Sequence, residues 1–390
     1  LIEGAINGML ASLDPHSSYL DARDSEAMRS QTDGEYGGLG LTVSTEDGAV
    51  RVVAPTDDTP AARAGIKSGD FITHLDDQLI FGSTLNEAVD KMRGKPGTSI
   101  KLTVVRPGAP KPLTFNLTRE VIKVRPVKWE AKGNVGVIRI SSFNRQTGEA
   151  TRQAVTELTS KIGPNLSGFV IDLRSNPGGL LDQAIDVSDT FLERGEIVSQ
   201  RGRAKGDIER YYARSDDLSG GKPIVVLVDE GSASAAEIVA GALQDQKRAI
   251  VIGQRSFGKG SVQTLIPLGP DSGLRLTTAR YYTPSGASIQ KIGIEPDLEV
   301  ARSEAEARIV SRSSFIYSEA AYATALDSSI GAERKGPHIP REAPGENYDK
   351  DTDYQLERAL DVLRAGGDVS RVSAPPSTVV VTEKSEDPAD

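Results

Sequence analysis

The sequence has no cysteine among its 390 residues. This absence excludes disulfide bonds, thiol nucleophiles and thiolate metal sites. A chain without cysteine is compatible with both the cytosol and the periplasm, because it has no thiol that the redox state of the compartment could oxidise or reduce.

Histidine is almost as scarce, with only His16, His74 and His338, in three separate regions. A three-histidine zinc site and an HExxH helix are therefore excluded. A Ser-His-Asp triad would have to recruit one of these residues from a distant segment. If the chain is a hydrolase, we expect its base not to be histidine.

Long hydrophobic runs and a basic excess are also missing. No run approaches the ~18 apolar residues that a membrane span requires. The net charge is −9 and the pI is about 5.2, which argues against a nucleic-acid binder because such proteins normally present a basic face. The chain begins inside a predicted helix, so its start gives no indication of compartment.

The length predicts two or three domains, and the pattern changes three times along the chain. Residues 1–32 follow the helical period, 33–121 consist of short strands and turns, and 122–303 alternate strands with helices. In the last part, 304–390, we expect helices at 304–326, a proline-rich linker at 335–347, a helix at 354–365 and a disordered tail from 372. The predicted class is a multidomain α/β protein with helical ends.

The segment 122–303 predicts a layered α/β domain. Its strands are expected at 135–140, 168–173, 224–228 and 249–252, and its helices at 148–161, 179–192 and 235–245. Residues 197–214 indicate a strand pair or an extended loop over the sheet.

Ser234 is the candidate nucleophile, because it lies between a buried strand that runs into Gly231 and a helix that begins near Ala235. At such a turn the hydroxyl projects from the edge of the sheet, beside the unpaired N–H groups of the first helical turn. Those groups and the helix dipole can stabilise an oxyanion. Alternatively, Ser232 and Ser234 are ordinary helix N-caps.

Lys259 is the candidate base and lies between two glycines. A lysine base must be neutral, so it needs desolvation to lower its pKa, and Phe257 and Val262 could supply this. Gln263 follows four positions later, which in a strand would place it on the same face, where it could orient the amine. The alternative is a solvated loop lysine.

The same segment also resembles part of a phosphate loop. Gly253, Gly258 and Lys259 fit the first seven positions of the Walker A pattern. The eighth position fails, because Gly260 stands where Ser or Thr should ligate magnesium. An ATPase therefore stays a minor alternative.

A second glycine motif is Asp172-Leu-Arg-Ser-Asn-Pro-Gly-Gly, which joins a buried strand to a helix. Pro177 fixes the turn, and Gly178-Gly179 exposes N–H groups at a helix start, a geometry that binds anions and transient oxyanions. An ordinary strand-turn-helix connection would have the same pattern.

These segments together resemble the carboxyl-terminal processing proteases, also called tail-specific proteases. The matching stretches include Gly231-Ser-Ala-Ser-Ala-Ala-Glu, Ser256-Phe-Gly-Lys-Gly-Ser-Val-Gln and Leu13-Asp-Pro-His-Ser-Ser-Tyr, and the resemblance covers about residues 1–300. It implies a core similar to the Clp protease and crotonase superfamily, with no metal or cofactor. It also implies a nucleophile, a general base, a residue that orients the base and two oxyanion-hole residues: Ser234, Lys259, Gln263, and Gly178 with the N–H of Ala235.

The resemblance further identifies residues 33–121 as a PDZ domain. Its carboxylate-binding loop would be Gly38-Leu39-Gly40-Leu41, and the strand from Leu39 would add a substrate peptide by β-augmentation. The helix at 85–92 would wall the groove. From the residues alone, this block could equally be a small structural barrel.

The implied function is a serine endopeptidase that recognises unstructured C-terminal tails of proteins and cleaves near them. The resemblance also implies a bacterial envelope location, most simply the periplasm, an adaptor protein as a further partner, and a homo-oligomer assembled through the terminal helices. Nucleic acid is not an expected partner. The alternative from another class is a PDZ scaffold whose catalytic core is inert.

Overall fold

The structure, a computed structural model, describes residues 2–46, 48–214, 216–303, 318–327, 342–345, 348–349, 351–368 and 378–379. The chain divides into two compact units. One comprises Leu1–Asp33 together with Arg125–Asp390, and the other is Gly34–Val124. The N-terminal segment therefore folds with the second half of the chain, and each unit has a hydrophobic core of its own.

The N-terminal segment contains α1 (Ile2–Ala11), β1 (Ser18–Leu20) and α2 (Ala22–Asp33). Asp14 closes the turn that follows α1, because its carboxylate accepts the backbone N–H groups of His16 at 2.8 Å and Ser17 at 3.0 Å.

The unit Gly34–Val124 is a twisted antiparallel sheet with two helices. Its elements are β2 (Glu35–Gly38), β3 (Leu41–Glu46), β4 (Ala49–Pro55), α3 (Pro60–Arg63), β5 (Phe71–Leu75), β6 (Gln78–Leu79), α4 (Leu85–Met92), β7 (Ser99–Val105), β8 (Leu113–Thr118) and β9 (Glu120–Lys123). The order is β3-β4-β5-β7-β8, with β6 on β5 and β2 on β9. Thr84 and Glu87 form a capping box that starts α4.

The other unit carries the predicted alternation of strands and helices, which is confirmed. In chain order it contains β10 (Val127–Lys132), β11 (Val135–Ile140), α5 (Thr147–Ile162), β12 (Gly168–Asp172), α6 (Leu181–Asp189), β13 (Glu196–Gly202), β14 (Ile208–Tyr212), β15 (Ile224–Val228), α7 (Ala235–Asp245), β16 (Ala249–Gly253), β17 (Ser261–Pro267), β18 (Gly273–Tyr282), β19 (Leu298–Glu299), β20 (Ala343–Pro344), α8 (Tyr354–Arg364) and β21 (Thr378–Val379). Two 3₁₀ turns, Gly163–Asn165 and Glu319–Ala321, complete it.

The main sheet has the order β10-β11-β12-β15-β16-β19 and is parallel except for the β10–β11 pair. Parallel strands end at the same edge of a sheet, which is where α/β proteins place their ligand sites. Because β12, β15 and β16 are adjacent, the three segments that follow them are brought together at this edge. These are the three motifs singled out in the sequence.

Helices cover both faces of this sheet. Side chains alternate along each strand, so Phe169 and Ile171 of β12 join the core under α5, α6 and α7, whereas Val170 joins the core under α8. All three are fully buried. This two-sided burial explains why the strands are continuous apolar runs in the sequence.

A second, antiparallel sheet has the order β1-β18-β13-β14, with β17 paired to β18. The strand pair predicted at 197–214 is confirmed as β13 and β14. Strand β1 pairs with β18 in the register Ser18 to Arg275, which ties the N-terminal segment to the β17–β18 hairpin.

The helix predicted at 354–365 is confirmed as α8. Of the helices expected at 304–326, the part described, 318–326, has only the 3₁₀ turn Glu319–Ala321. Residues 304–317, most of the linker at 335–347 and most of the tail from 372 lie outside the described residues. Within the described parts of the chain, no helix is long and apolar enough to cross a membrane.

Candidate active site

Ser234 lies directly before the first residue of α7, in the turn that follows β15. Its backbone has φ +54° and ψ −113°, a conformation that is strained for any residue with a Cβ. Sharp strand-to-helix turns of this kind hold nucleophilic serines at the top of a sheet. Ser234 is half-buried and lines a pocket of about 560 Å³.

The neighbouring serine has a structural role. Ser232 is fully buried, and its hydroxyl donates to the carbonyl of Leu173 at 2.9 Å and accepts the N–H of Asp229 at 2.9 Å. These bonds join the turn after β15 to the end of β12. Of the two serines, Ser234 is the one that faces the pocket.

The turn after β12 is fixed by Asn176, which is fully buried. Its side-chain amide donates to the carbonyl of Ile140 at 2.8 Å, and its backbone carbonyl accepts the N–H of Ala233 at 2.9 Å. The turn is thus held against the residue that precedes Ser234. The sequence motif contained Asn176, but its role requires the tertiary contacts.

Gly178 approaches the Ser234 turn so closely that only glycine fits. A Cβ at this position would lie 2.9 Å from the Cβ of Ser234 and 2.7 Å from the carbonyl oxygen of Ala233, and φ is +96°. The close approach brings the backbone of the glycine motif to Ser234, the predicted nucleophile.

The two predicted oxyanion donors, Gly178 and Ala235, are not equivalent in the structure. The N–H of Gly178 donates to the side-chain oxygen of Asn176 at 2.9 Å. The N–H groups of Ala235 and Gly179, by contrast, have no hydrogen-bond partner among the residues that the structure describes. The N–H of Ala235 is thus free to bind an oxyanion, and Gly178 must share its N–H with Asn176 to do so.

Lys259 lies in the loop between β16 and β17, and its side chain lines the same pocket as Ser234. Burial lowers the pKa of its amine, and the nearby Arg275 cation lowers it further, against the opposite effect of the carboxylates of Glu319, Glu237 and Asp14. In the described part of the chain, the amine has no hydrogen-bond or ion-pair partner. The predicted desolvation of this lysine is present, and it favours a neutral amine.

Glu237 holds both halves of the site and was not singled out in the sequence. One oxygen accepts the N–H of Ser234 at 2.8 Å and of Lys259 at 2.9 Å, and the other accepts the N–H of Gly258 at 2.7 Å and the hydroxyl of Ser256 at 2.6 Å. The carboxyl is fully buried, which raises its pKa to about 7 despite these four donors. The Ser-x-x-Glu spacing from Ser234 to Glu237, which is typical of a capping box, is the sequence signal from which this role could have been predicted.

These bonds also count against the phosphate loop. The N–H groups of Gly258 and Lys259, which would have to hold a phosphate, are occupied by the Glu237 carboxylate. A phosphate brought to this loop would meet a buried acidic group instead of free donors.

The prediction that Gln263 lies on the same face of a strand as Lys259 is wrong. Lys259 lies before β17, and a bulge follows Val262, so the alternation of side chains along a strand does not relate the two residues. The amide of Gln263 donates to the hydroxyls of Ser261 at 2.9 Å and Thr277 at 3.2 Å. Gln263 nevertheless lines the pocket that contains Ser234 and Lys259.

Apolar and aromatic residues also line the pocket. Its lining includes Phe143, Leu181, Ile185, Val262 and Tyr281. No group of three or more His, Asp or Glu side chains suited to a metal ion occurs within the described ranges.

In the unit Gly34–Val124, the predicted carboxylate loop lies between β2 and β3. Gly40 has φ +76°, and a Cβ there would lie within 2.4 Å of the Thr59 side chain. The N–H groups of Leu39 and Gly40 have no hydrogen-bond partner among the described residues. Strand β3, which starts at Leu41, is the last strand on its side of the sheet, so one of its edges is unpaired.

Comparisons with known proteins match both units. The model of peptidase family S41 matches residues 134–300, and that of the PDZ domain matches residues 37–117. A carboxy-terminal-processing protease of Bartonella bacilliformis is 58% identical over 301 residues, 77% of this chain and 69% of that protein. The carboxy-terminal processing protease CtpB of Bacillus subtilis is 38% identical over 77% of this chain and 63% of its own length. A solved photosystem II D1 C-terminal processing protease is 34% identical over 76% of this chain and 81% of that one, with a TM-score of 0.47.

Proposed function

The chain belongs to the carboxy-terminal-processing proteases of peptidase family S41, which are serine peptidases with a PDZ domain, and we propose that its nucleophile is Ser234 and its general base Lys259. The observation that carries this proposal is that both residues line one pocket while Glu237 binds the backbone N–H of each. No other serine and lysine among the residues lining that pocket are joined in this way.

The reaction begins when neutral Lys259 takes the hydroxyl proton of Ser234, whose oxygen attacks a peptide carbonyl of the substrate. The resulting ammonium returns a proton to the leaving amine, and the acyl group stays on the serine. Water then enters, loses a proton to Lys259 and attacks the acyl carbon. The ammonium returns this proton to the oxygen of Ser234 as its bond to the acyl group breaks, which releases the new carboxyl end and restores neutral Lys259. Gln263 is proposed to orient the amine once substrate is bound.

The tetrahedral oxyanion is stabilised by the free N–H of Ala235 at the start of α7, where the helix dipole adds to the effect. We propose Gly178 as the second donor, which requires it to turn its N–H from Asn176 or to share it. When one such donor is removed from an enzyme that uses an oxyanion hole, kcat falls by a factor on the order of 10²–10³.

The PDZ unit is proposed to capture the substrate's C-terminal tail. The free N–H groups of Leu39 and Gly40 can bind the terminal carboxylate, with Gly38 and Leu41 flanking them, and the open edge of β3 can pair with the peptide backbone. Apolar side chains of β3 and α4 that pack against the core of this unit are only partly buried: Leu41, Val43, Leu85 and Val89. Such a surface fits an extended tail with apolar side chains.

The substrates are proposed to be proteins with unstructured C-terminal tails, because only an extended chain can pair with a strand edge. The proposed location is the bacterial envelope, most simply the periplasm. An adaptor is a proposed further partner. Helix α1 exposes Ile2 and Met9, 77% and 64% accessible, which supports a homo-oligomer assembled through this helix.

The proposal is tested with the full chain and an unstructured protein substrate. Ser234→Ala and Lys259→Ala are expected to abolish cleavage while the far-ultraviolet circular dichroism stays that of the wild type. Ser232→Ala, in the same turn but bonded to Leu173, is the matched control and should keep measurable activity. Cleavage by Ser234→Ala would overturn the assignment, and an inactive wild type would favour the PDZ scaffold.

A further inference from the structure

Two segments far away in the sequence, 290–291 and the one that contains Glu319, contact the loop that carries Lys259. The backbone N–H of Glu319 donates to the carbonyl of Phe257 at 2.9 Å, and the N–H of Gly260 donates to the side-chain oxygen of Gln290 at 3.0 Å. The N–H of Lys291 also donates to the carbonyl of Gly258 at 2.8 Å. Backbone groups on both sides of Lys259 are thus bonded by residues more than 25 positions away.

Glu319 links this loop to the turn near the start of the chain. Its carboxyl oxygens lie 2.8 and 3.0 Å from Nε2 of His16, and Oε1 also accepts the amide of Gln290 at 2.9 Å. The side chain of Glu319 is fully buried and that of His16 is 17% exposed. A carboxylate this deep is costly unless its hydrogen bonds are satisfied, and these two partners satisfy it.

The chain of hydrogen bonds continues from the turn back into the pocket. The N–H of His16 donates to Oδ1 of Asp14 at 2.8 Å, which also accepts the hydroxyl of Thr277 at 2.9 Å. Thr277 in turn accepts the amide of Gln263 at 3.2 Å. A continuous network therefore runs from Gly260, the residue directly after Lys259, to Gln263, which lines the same pocket as Lys259.

The same network sets the charges around the amine of Lys259. Glu319 from the segment 318–327, Asp14 from the turn and Glu237 from α7 raise the pKa of Lys259, and Arg275 of β18 lowers it. Arg275 is itself held by the turn, since its Nε donates to the carbonyl of His16 at 3.0 Å. Three of these four charged groups, Glu319, Asp14 and Arg275, thus make a hydrogen bond to His16.

We propose that Glu319, held by His16 and Gln290, is a positioning residue for the peptidase reaction: it fixes the loop that carries Lys259 and places a negative charge near its amine. The inference rests on the proposed role of Lys259 as base. It makes His16 and Glu319 part of the catalytic apparatus, although neither supplies a group that reacts. A purely structural Glu319 would tie these segments together without affecting how Lys259 titrates.

Replacing Glu319 by Gln keeps the shape of the side chain and removes its charge. Without that charge the protonated amine is less stabilised, so the pKa of Lys259 falls and the acidic limb of kcat/KM moves to lower pH, by about one unit. The limiting rate falls as well, because the amide of Gln290 and the ring of His16 lose a charged partner. Arg275→Gln is expected to move the limb in the opposite direction, to higher pH.

The experiment measures kcat/KM against pH for the full chain with an unstructured substrate. Asp327→Asn is the matched control, because it removes the same charge from the same segment at a side chain that is 95% exposed; its limb should coincide with that of the wild type. Glu319→Asp, which restores the charge, should return the limb towards the wild-type position. If the acidic limb of the plot of kcat/KM against pH stays at the wild-type position in Glu319→Gln, the proposal is overturned.

A second readout titrates Lys259 without catalysis. Trace acetic anhydride modifies only neutral amines, so the fraction of Lys259 acetylated at each pH, read by mass spectrometry, gives its pKa directly. Glu319→Gln should shift this curve to lower pH, and an unshifted curve is evidence against the proposal. If Lys259→Ala retains activity, the proposed function fails; if it is inactive while the Glu319→Gln curve is unshifted, only the present inference fails.

His16→Phe keeps the inference testable if Glu319→Gln does not fold. It fills the space of the imidazole but removes the donor to Glu319 and should lower kcat about tenfold with KM unchanged, because the substrate pocket does not include His16. An unchanged kcat would contradict the proposal that His16 holds Glu319 in place within this hydrogen-bond network.

Discussion

Burial of the Lys259 amine increases the fraction that is neutral at a given pH and lowers the stability of the fold. The charged form loses its hydration, and in the described part of the chain no hydrogen bond replaces it, so the pKa of Lys259 falls. At neutral pH, the folded state therefore carries a cost that the unfolded chain avoids. Reactive sites often have this property, because the groups they need would be solvated in a more stable fold.

Lys259→Met is accordingly expected to raise the free energy of unfolding at pH 7 while abolishing cleavage. Between the lowered pKa of the folded state and the value of ~10.4 in the unfolded chain, the unfolded state binds more protons, so the wild type gains stability as pH rises. The advantage of the variant should shrink across this window. Urea unfolding at several pH values measures it, with Lys161→Met at an exposed position of α5 as the control. A variant less stable than the wild type at pH 7 would contradict the desolvation argument.

The close approach of Gly178 gives a second prediction at the scale of one residue. Gly178→Ala would place a methyl group 2.9 Å from the Cβ of Ser234, so we expect cleavage to fall by at least ~10²-fold as the turn moves away. Gly133→Ala is the matched control: its φ is also positive, +62°, but no atom lies within 4 Å of its Cβ position. It should lose about 1 kcal/mol of stability and keep its activity. If Gly178→Ala and Gly133→Ala lose activity equally, the positive φ at Gly178, and not its contact with Ser234, accounts for the loss.

At the scale of the element, the first turn of α7 is the part that joins Ser234, the proposed nucleophile, to Lys259, the proposed base. Glu237 lies on that turn, and its carboxylate accepts backbone N–H groups from Ser234 and Lys259 through the same oxygen. A helix start thus positions a loop that follows the next strand. The arrangement depends on β15 and β16 being neighbours in the sheet.

Glu237→Gln tests this arrangement, because an amide has only one acceptor oxygen. Its NH₂ group must face either Ser234 and Lys259 or Gly258 and Ser256, all of which donate, so two donors lose their acceptor. We expect a loss of roughly 2–4 kcal/mol in the free energy of unfolding and a large loss of kcat. Chemical denaturation and steady-state kinetics measure the two. Glu157→Gln, at an exposed position of α5, should change neither, and wild-type kcat in Glu237→Gln would exclude the role of Glu237.

Helix α8 shows a similar long-range connection at its N-terminus. Its N-cap Asp353 accepts the N–H of Leu356 at 3.1 Å and also binds Arg174, whose guanidinium donates to it at 2.8 Å. Arg174 is buried and pairs with Asp172 at 2.8 Å, directly before the turn that holds Gly178. The C-terminal helix is thereby fastened to the base of the predicted oxyanion turn.

At the scale of the whole molecule, the two compact units each bury their own core, so they are expected to unfold as separate cooperative units. A peptide with a free C-terminal carboxylate and apolar side chains should raise the melting temperature of the transition of Gly34–Val124 alone, because ligand binding stabilises the unit that binds it. Differential scanning calorimetry of the full chain measures this.

The same peptide with an amidated C-terminus is the control, since it lacks the charge that the N–H groups of Leu39 and Gly40 are proposed to bind. It should leave both transitions unshifted. If the free and amidated peptides stabilise the protein equally, the carboxylate loop is not the binding site.

The local elements could be predicted from the sequence, because their causes are local. The apolar runs of β12, β15 and β16, the glycine turns and the helix α8 all have signals within a few residues of themselves. The absence of cysteine and the shortage of histidine, together with the spacing of Ser234 and Lys259, determined which chemistry was available. The family resemblance rested on the same short motifs.

What only the tertiary structure decided is which groups meet. The sheet order brings three turns to one edge, and this order is set by non-local strand pairing that no single segment encodes. For the same reason the roles of Asn176, Glu237 and the pair His16–Glu319 were missed, and Gln263 was related to Lys259 by an alternation that the strand boundary does not permit. Residue types limit the chemistry of this chain, but burial and long-range hydrogen bonds determine which of those residues are positioned for it.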